Sequence, residues 1–236
     1  MIESVGVGYG SVVVGELINV FCLLRLEDVV RENADRREGP AMLHGQTRLY
    51  AERSAGLDLE RVLSVWTAGH HLVELVASTY YQYAHVTVTM AVLLWIWLRH
   101  PAFYGWARTS LVLINLAGLT VFFLYPVAPP RLLPGSGVVD GAITVGRASV
   151  IGHVNADQYG AMPSLHIAWA VWVAVVLWRA LGPRWQSAVI YPVATAVVVV
   201  PTGNHYLLDI PAGAARAAPA PAPPAAGPAR GVRTGV

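Results

Sequence analysis

His205 and Asp209 stand four residues apart in the stretch Pro-Thr-Gly-Asn-His-Tyr-Leu-Leu-Asp, residues 201–209, directly after an apolar run. On a helix that spacing puts an imidazole and a carboxylate on one face. A carboxylate hydrogen-bonded to one imidazole nitrogen fixes the tautomer and makes the other nitrogen a better base or nucleophile. His166, in Ala-Met-Pro-Ser-Leu-His, residues 161–166, opens a second apolar run. Two histidines can divide a group transfer: one attacks, and the other protonates the leaving group, a role worth about 10²–10⁴-fold in rate. Arg131 adds a permanent cation whose forked donors suit phosphate. Ser164, Asn204 and the backbone amides near Ser164 or Gly203 complete a candidate phosphate cradle. The set predicts phosphoryl transfer without a metal, with His205, Asp209 and His166 catalytic and Arg131, Ser164 and Asn204 binding phosphate.

Blander readings use the same residues. His166 alone reads as an interface histidine. His205 and Asp209 can be a structural pair that satisfies itself. With His166 they also make two histidines and a carboxylate, a set that suits zinc, although Arg131 is an odd neighbour for a cation. Arg131 alone can be an interfacial anchor.

The scaffold follows from composition. Of 236 residues, 55% are hydrophobic and 13% charged, where soluble domains carry about 25% charged. That predicts a helical membrane protein. Net charge is +2 without a basic face, which argues against nucleic acid as a partner. A lone cysteine, Cys22, excludes an internal disulfide. Oligomeric state is not legible.

A membrane span needs about 20 mostly apolar residues. Six stretches are read as spans: residues 5–24, 62–80, 84–98, 109–125, 163–181 and 185–200. The first lacks a basic start and is read as retained, not as a cleaved signal. Residues 25–61 form a charged cytoplasmic or interfacial segment, in which Asp58 is a candidate N-cap. Residues 62–210 are the transmembrane core. Residues 211–236 are an Ala/Pro-rich, low-complexity tail, read as unstructured because repeated prolines break helices. The long loop 126–162 reads as functional. The fold class is thus all-α: a polytopic transmembrane helical bundle of about six spans with its active site at one membrane face.

Within this frame, eleven arginines fall in connections on one side, and Arg131 and Arg147 in those on the other. By the positive-inside rule the motif side faces away from the cytoplasm. His70 and Glu74, four apart in the second stretch, read as a mutually satisfied pair or a relay. His85, at the start of the third stretch, is a candidate to support the site residues without touching substrate. Asp140 contacts a head group or caps a turn.

The motifs carry a resemblance. Pro163-Ser-Leu-His166 resembles the second signature, Pro-Ser-x-His, of the type-2 phosphatidic acid phosphatase superfamily. His205-Tyr-Leu-Leu-Asp209 resembles its third, His-x-x-x-Asp. Ala-Pro-Pro-Arg131 resembles the first-signature arginine in the branch that includes inositol phosphorylceramide synthase. The resemblance covers roughly residues 45–213. It implies an all-helical bundle with no cofactor. His205 would form a phosphohistidine, Asp209 would orient it, His166 would protonate the leaving alcohol, and Arg131 would hold the phosphate. Where the superfamily has a lysine before that arginine, this chain has Leu124; where it has Ser-Arg before the histidine, this chain has Val198 and Val199. The expected function is a lipid-phosphate phosphatase or phosphotransferase in the cell membrane, acting on a lipid or polyprenyl phosphate. Its rivals are a head-group transferase of the synthase type and an inactive membrane protein whose closing span after Asp209 is missing.

Overall fold

The computed structural model describes residues 3–140 and 159–217, with side chains from Val14 onward. Arg147 and the tail beyond Ala217 lie outside the described residues. The described chain is all-helical, with one isolated parallel bridge, Val127–Gly160, and no strand. The helices are α1 (Glu3–Asp35), α2 (Glu38–Ser54), α3 (Leu59–Ala68), α4 (His71–Arg99), α5 (Pro101–Leu124), α6 (Leu165–Leu181), α7 (Ile190–Val199) and α8 (Asp209–Arg216). Short 3₁₀ turns lie at Pro130–Leu132 and Pro183–Val189.

Helix α6 is central and packs against α4, α5, α7 and α8. Ser164 caps it: its hydroxyl accepts the Ile167 N–H at 3.4 Å, filling one of the donors a helix start leaves unpaired. Gly182, at φ +82°, and Pro183 end it. Trp172 is fully buried, and its indole N–H reaches Ser110 Oγ at 2.9 Å and the Ala107 carbonyl at 3.2 Å. Gly118 lets α5 approach, since a Cβ there would lie 2.6 Å from Leu165 Cδ2.

Helices α1 and α5 run parallel. Glu16 pairs with Arg108 at 2.6 Å, and further along Asn33 and Arg37 donate to the Phe123 carbonyl at 3.0 and 2.9 Å. The last carbonyls of a helix lack internal partners and attract cations.

Among the described residues one helix, α5, is long and apolar enough to cross a membrane; the apolar α6 is shorter. Two predicted spans are broken. The stretch 62–80 divides at Gly69–His70 into α3 and the start of α4, which then continues through the third predicted span. The stretch 185–200 is part 3₁₀ turn, with non-helical Trp185, and part α7. Ten residues of α7 extend roughly 15 Å, half the hydrocarbon thickness of about 30 Å.

The segment 25–61 is also displaced from its expected place. It continues α1 and then lays α2 and α3 across the end of the bundle that carries the motifs. Arg48 contacts Met162 Sδ, Arg53 donates to the Ser136 carbonyl, and Arg61 packs against Gly137. These arginines share an end with Arg131. The partition of basic residues that placed the motifs away from the cytoplasm therefore does not hold.

The start of the tail is ordered as α8. Pro211 falls in its first turn, where the missing N–H costs nothing. Gly213 seats it on α6: a Cβ there would lie 2.5 Å from the Ser164 carbonyl.

Candidate active site

Backbone hydrogen bonds stitch the three motifs together. Val127 N–H donates to the Tyr159 carbonyl at 2.8 Å, and Ala161 N–H to the Val127 carbonyl at 3.2 Å, joining the first motif to the second. Arg131 N–H donates to the Gly203 carbonyl at 3.1 Å, joining the first to the third. The Tyr206 hydroxyl donates to the Ala128 carbonyl at 2.7 Å and lies 3.1 Å from that of Gly45, tying both to α2.

Gly203 makes this junction possible. Its φ is +72°, and a Cβ there would lie 2.8 Å from Val138 Cγ1 and 3.0 Å from the Val139 carbonyl. Gly203→Ala is expected to lower stability by about 1–3 kcal/mol through backbone strain alone. Thermal unfolding of the purified protein checks this, and an unchanged melting temperature would refute it.

His205 is 3% exposed. Its Nδ1 lies 2.8 Å from the Ala161 carbonyl and 3.6 Å from Asp209 Oδ2. Both are acceptors, so the ring proton belongs on Nδ1, and Nε2 carries the lone pair. Nε2 faces the Ser164 hydroxyl at 3.3 Å and His166 Nδ1 at 3.4 Å. Sequence reasoning gave the orienting role to Asp209 alone. The Ala161 carbonyl is the nearer partner, and backbone carbonyls leave no mark in a sequence. Asp209 Oδ2 also accepts the Tyr206 N–H at 2.9 Å. Burial pushes the Asp209 carboxyl up, while His205 and the Tyr206 amide hold it down.

His166 is fixed by aromatic packing. Tyr81 stacks on its ring with centroids 4.2 Å apart, and His85 lies tilted against it at 4.1 Å. His85 thus packs behind His166, on the side of Trp169.

Arg131 stands on the neighbouring loop. Its Nε donates to Asn204 Oδ1 at 2.8 Å, and its Nη1 pairs with Asp140 at 3.2 Å. Asn204 gives its other end to the Thr202 carbonyl at 3.3 Å. In this state it therefore orients Arg131. Asp140 engages the arginine. His70 turns to the Trp66 carbonyl at 2.7 Å and packs on that ring, at the break between α3 and α4.

The missing cations have no replacement at their own positions. Leu124 is 64% exposed at the end of α5, and Val199 is buried against Ile167. Arg48 is the nearby cation the sequence did not single out; its charge lowers the Asp209 carboxyl. Two more residues went unnoticed: Glu52 and Glu60, both fully buried. A signal existed. Glu52 continues the buried stripe Ala41, Gly45, Leu49 at helical spacing, and Glu60 begins the stripe Glu60, Ser64, Thr67. Among the described residues, no group of three His, Cys, Asp or Glu side chains is placed to hold a metal ion.

Comparison with curated proteins and with solved structures found no match. The PAP2 superfamily matches residues 47–220, a span that contains Arg131, Ser164, His166, Asn204, His205 and Asp209, and the chain belongs to that superfamily.

Proposed function

We propose that this protein is a polytopic membrane enzyme that cleaves or transfers phosphate from lipid phosphates through a phosphohistidine on His205 Nε2. Superfamily membership supports phosphoryl transfer in general. The observation that carries the finer reading is the His205 environment. The Ala161 carbonyl holds the proton on Nδ1, and Nε2 points at His166 Nδ1, 3.4 Å away.

The chemistry follows from those contacts. Nε2 attacks phosphorus, and the Nε2–P bond forms as the bond to the leaving oxygen breaks. His166 gives that oxygen its proton. Positive charge on the phosphorylated imidazole is stabilised by Asp209. Water then attacks phosphorus, His166 takes its proton, and the Nε2–P bond breaks to release phosphate and restore His205. An alcohol in place of water gives transfer. Arg131 would exchange Asp140 for the phosphate, since its guanidinium is already turned toward the loop that carries His205.

A lipid or polyprenyl substrate is supported by the outer surface. Leu17, Phe21 and Leu24 on α1, Leu94 and Leu98 on α4, and Val193 and Val197 on α7 are all exposed apolar side chains. Soluble monomers rarely expose so much apolar surface, and lipid tails would cover it. Closeness of the motif wording to the inositol phosphorylceramide synthase branch favours a transferase as the second reading.

The test is purified protein with a labelled lipid phosphate, with and without inositol and with chelator present. Free phosphate in chelator supports hydrolysis. Labelled phosphoinositol supports transfer. Equal, non-zero rates for the protein and His205→Asn would refute the phosphohistidine, and no product from either would leave an inactive membrane protein.

A further inference from the structure

Three consecutive backbone amides after His205 are each held by a different carboxyl group. Tyr206 N–H donates to Asp209 Oδ2 at 2.9 Å, Leu207 N–H to Glu60 Oε1 at 2.7 Å, and Leu208 N–H to Glu52 Oε1 at 2.8 Å. Glu52 comes from α2 and Glu60 from α3, and all three carboxyl groups are fully buried. The remaining oxygens, Glu52 Oε2, Glu60 Oε2 and Asp209 Oδ1, have no hydrogen-bond partner. Three buried negative charges at one loop would repel one another and lose their hydration. A carboxylate cannot donate a hydrogen bond, but a carboxylic acid can. The Glu52 and Glu60 carboxyls lie within hydrogen-bonding reach of each other, so one proton shared between them would remove one charge and give an unpartnered oxygen a donor.

We propose that Glu52 and Glu60 share a proton, and that the protonated pair is a clamp that positions the His205–Asp209 loop against α2 and α3. Its effect on catalysis rests on the phosphohistidine reading; its effect on the fold does not. The charged and titratable groups near the pair are Arg48 on α2, Asp209 on α8 and the Tyr206 phenol. Burial first, and then the hydrogen bond to Glu60, pushes the Glu52 carboxyl up to about 8 from 4.5, while the Leu208 amide pulls it down. The folded chain therefore binds more protons than the unfolded chain between these values. Stability from the clamp is complete below the lower value and is lost as pH rises through the upper one. Loss of the shared proton would leave two facing carboxylates, and the loop would be released.

Glutamine separates this clamp from simple packing. In Glu52→Gln the side-chain oxygen still accepts from Leu208, and the amide nitrogen donates to Glu60 at every pH. The experiment is thermal unfolding and lipid-phosphate turnover of the full chain in detergent from pH 6 to 9.5. The wild-type melting temperature should fall across that range, with turnover falling beside it. E52Q should keep a level melting temperature and restore, at pH 9, the turnover that E52A loses at least tenfold. Parallel decline of wild type and E52Q would overturn the clamp. Should E52Q not fold, Glu60→Gln offers the same donor from the opposite side. Infrared titration of the wild type also decides: a buried protonated carboxyl should persist at pH 7, fall to about half near pH 8 and vanish above it, and its absence at pH 7 overturns the proposal. If the wild type releases no phosphate at any pH, the phosphohistidine reading fails, and the melting and infrared results still judge the clamp.

Discussion

His205→Asn should abolish phosphate release, by at least about 10³-fold, because on the proposed phosphohistidine route only binding and charge stabilisation remain once His205 is gone. Asparagine is the informative replacement. Its side-chain amide can still donate to the Ala161 carbonyl, which His205 Nδ1 meets at 2.8 Å. The buried acceptor then keeps a partner, and the fold is expected to survive. The measurement is a rapid quench with labelled lipid phosphate. Wild type should trap a phosphoprotein that is stable to alkali and lost in acid, the signature of phosphohistidine, and H205N should trap none. A labelled H205N protein would move the nucleophile elsewhere.

His166→Ala should reduce turnover of a lipid phosphate by about 10²–10⁴-fold, the range for losing a general acid. An alkoxide is a poor leaving group and needs the proton. Nitrophenolate, expelled from a nitrophenyl phosphate, leaves without one. The deficit should therefore shrink at least tenfold on the activated substrate. An equal deficit on both would mean that His166 only packs, with Tyr81 and His85, against the nucleophile. The pH profile adds a second arm, since the limb that reports the acid should disappear in the variant.

Much of this site was legible because its side chains carry unusual chemistry at fixed spacing. His166, His205 and Asp209 were readable as a group, and the structure brings them together. The Ala161 carbonyl was not, because every residue has one. Glu52 and Glu60 were hidden by their surroundings: in a segment crowded with arginines, a glutamate reads as solvated. Burial of α2 and α3 under the motif loops reverses that. The helical class was legible from composition, whereas helix boundaries were not. A hydropathy window averages across a break, so Gly69–His70 and Trp185 were absorbed into spans. The arginine count failed for a different reason. It assumes that a basic connection lies beyond the far end of the bundle, and residues 38–54 instead fold back onto the motifs.

The bonds that fasten the last motif reach far along the chain: 161 residues from Tyr206 to Gly45, 156 from Leu208 to Glu52, and 147 from Leu207 to Glu60. During synthesis at about 5–20 residues per second, α2 and α3 must wait on the order of ten seconds or more for the segment they grip. Until then their buried glutamates have nothing to hold, and the loop ends that meet at Gly203 are apart. The candidate site therefore assembles only after both ends of these bonds have been made, and a nascent chain stalled before Asp209 lacks it.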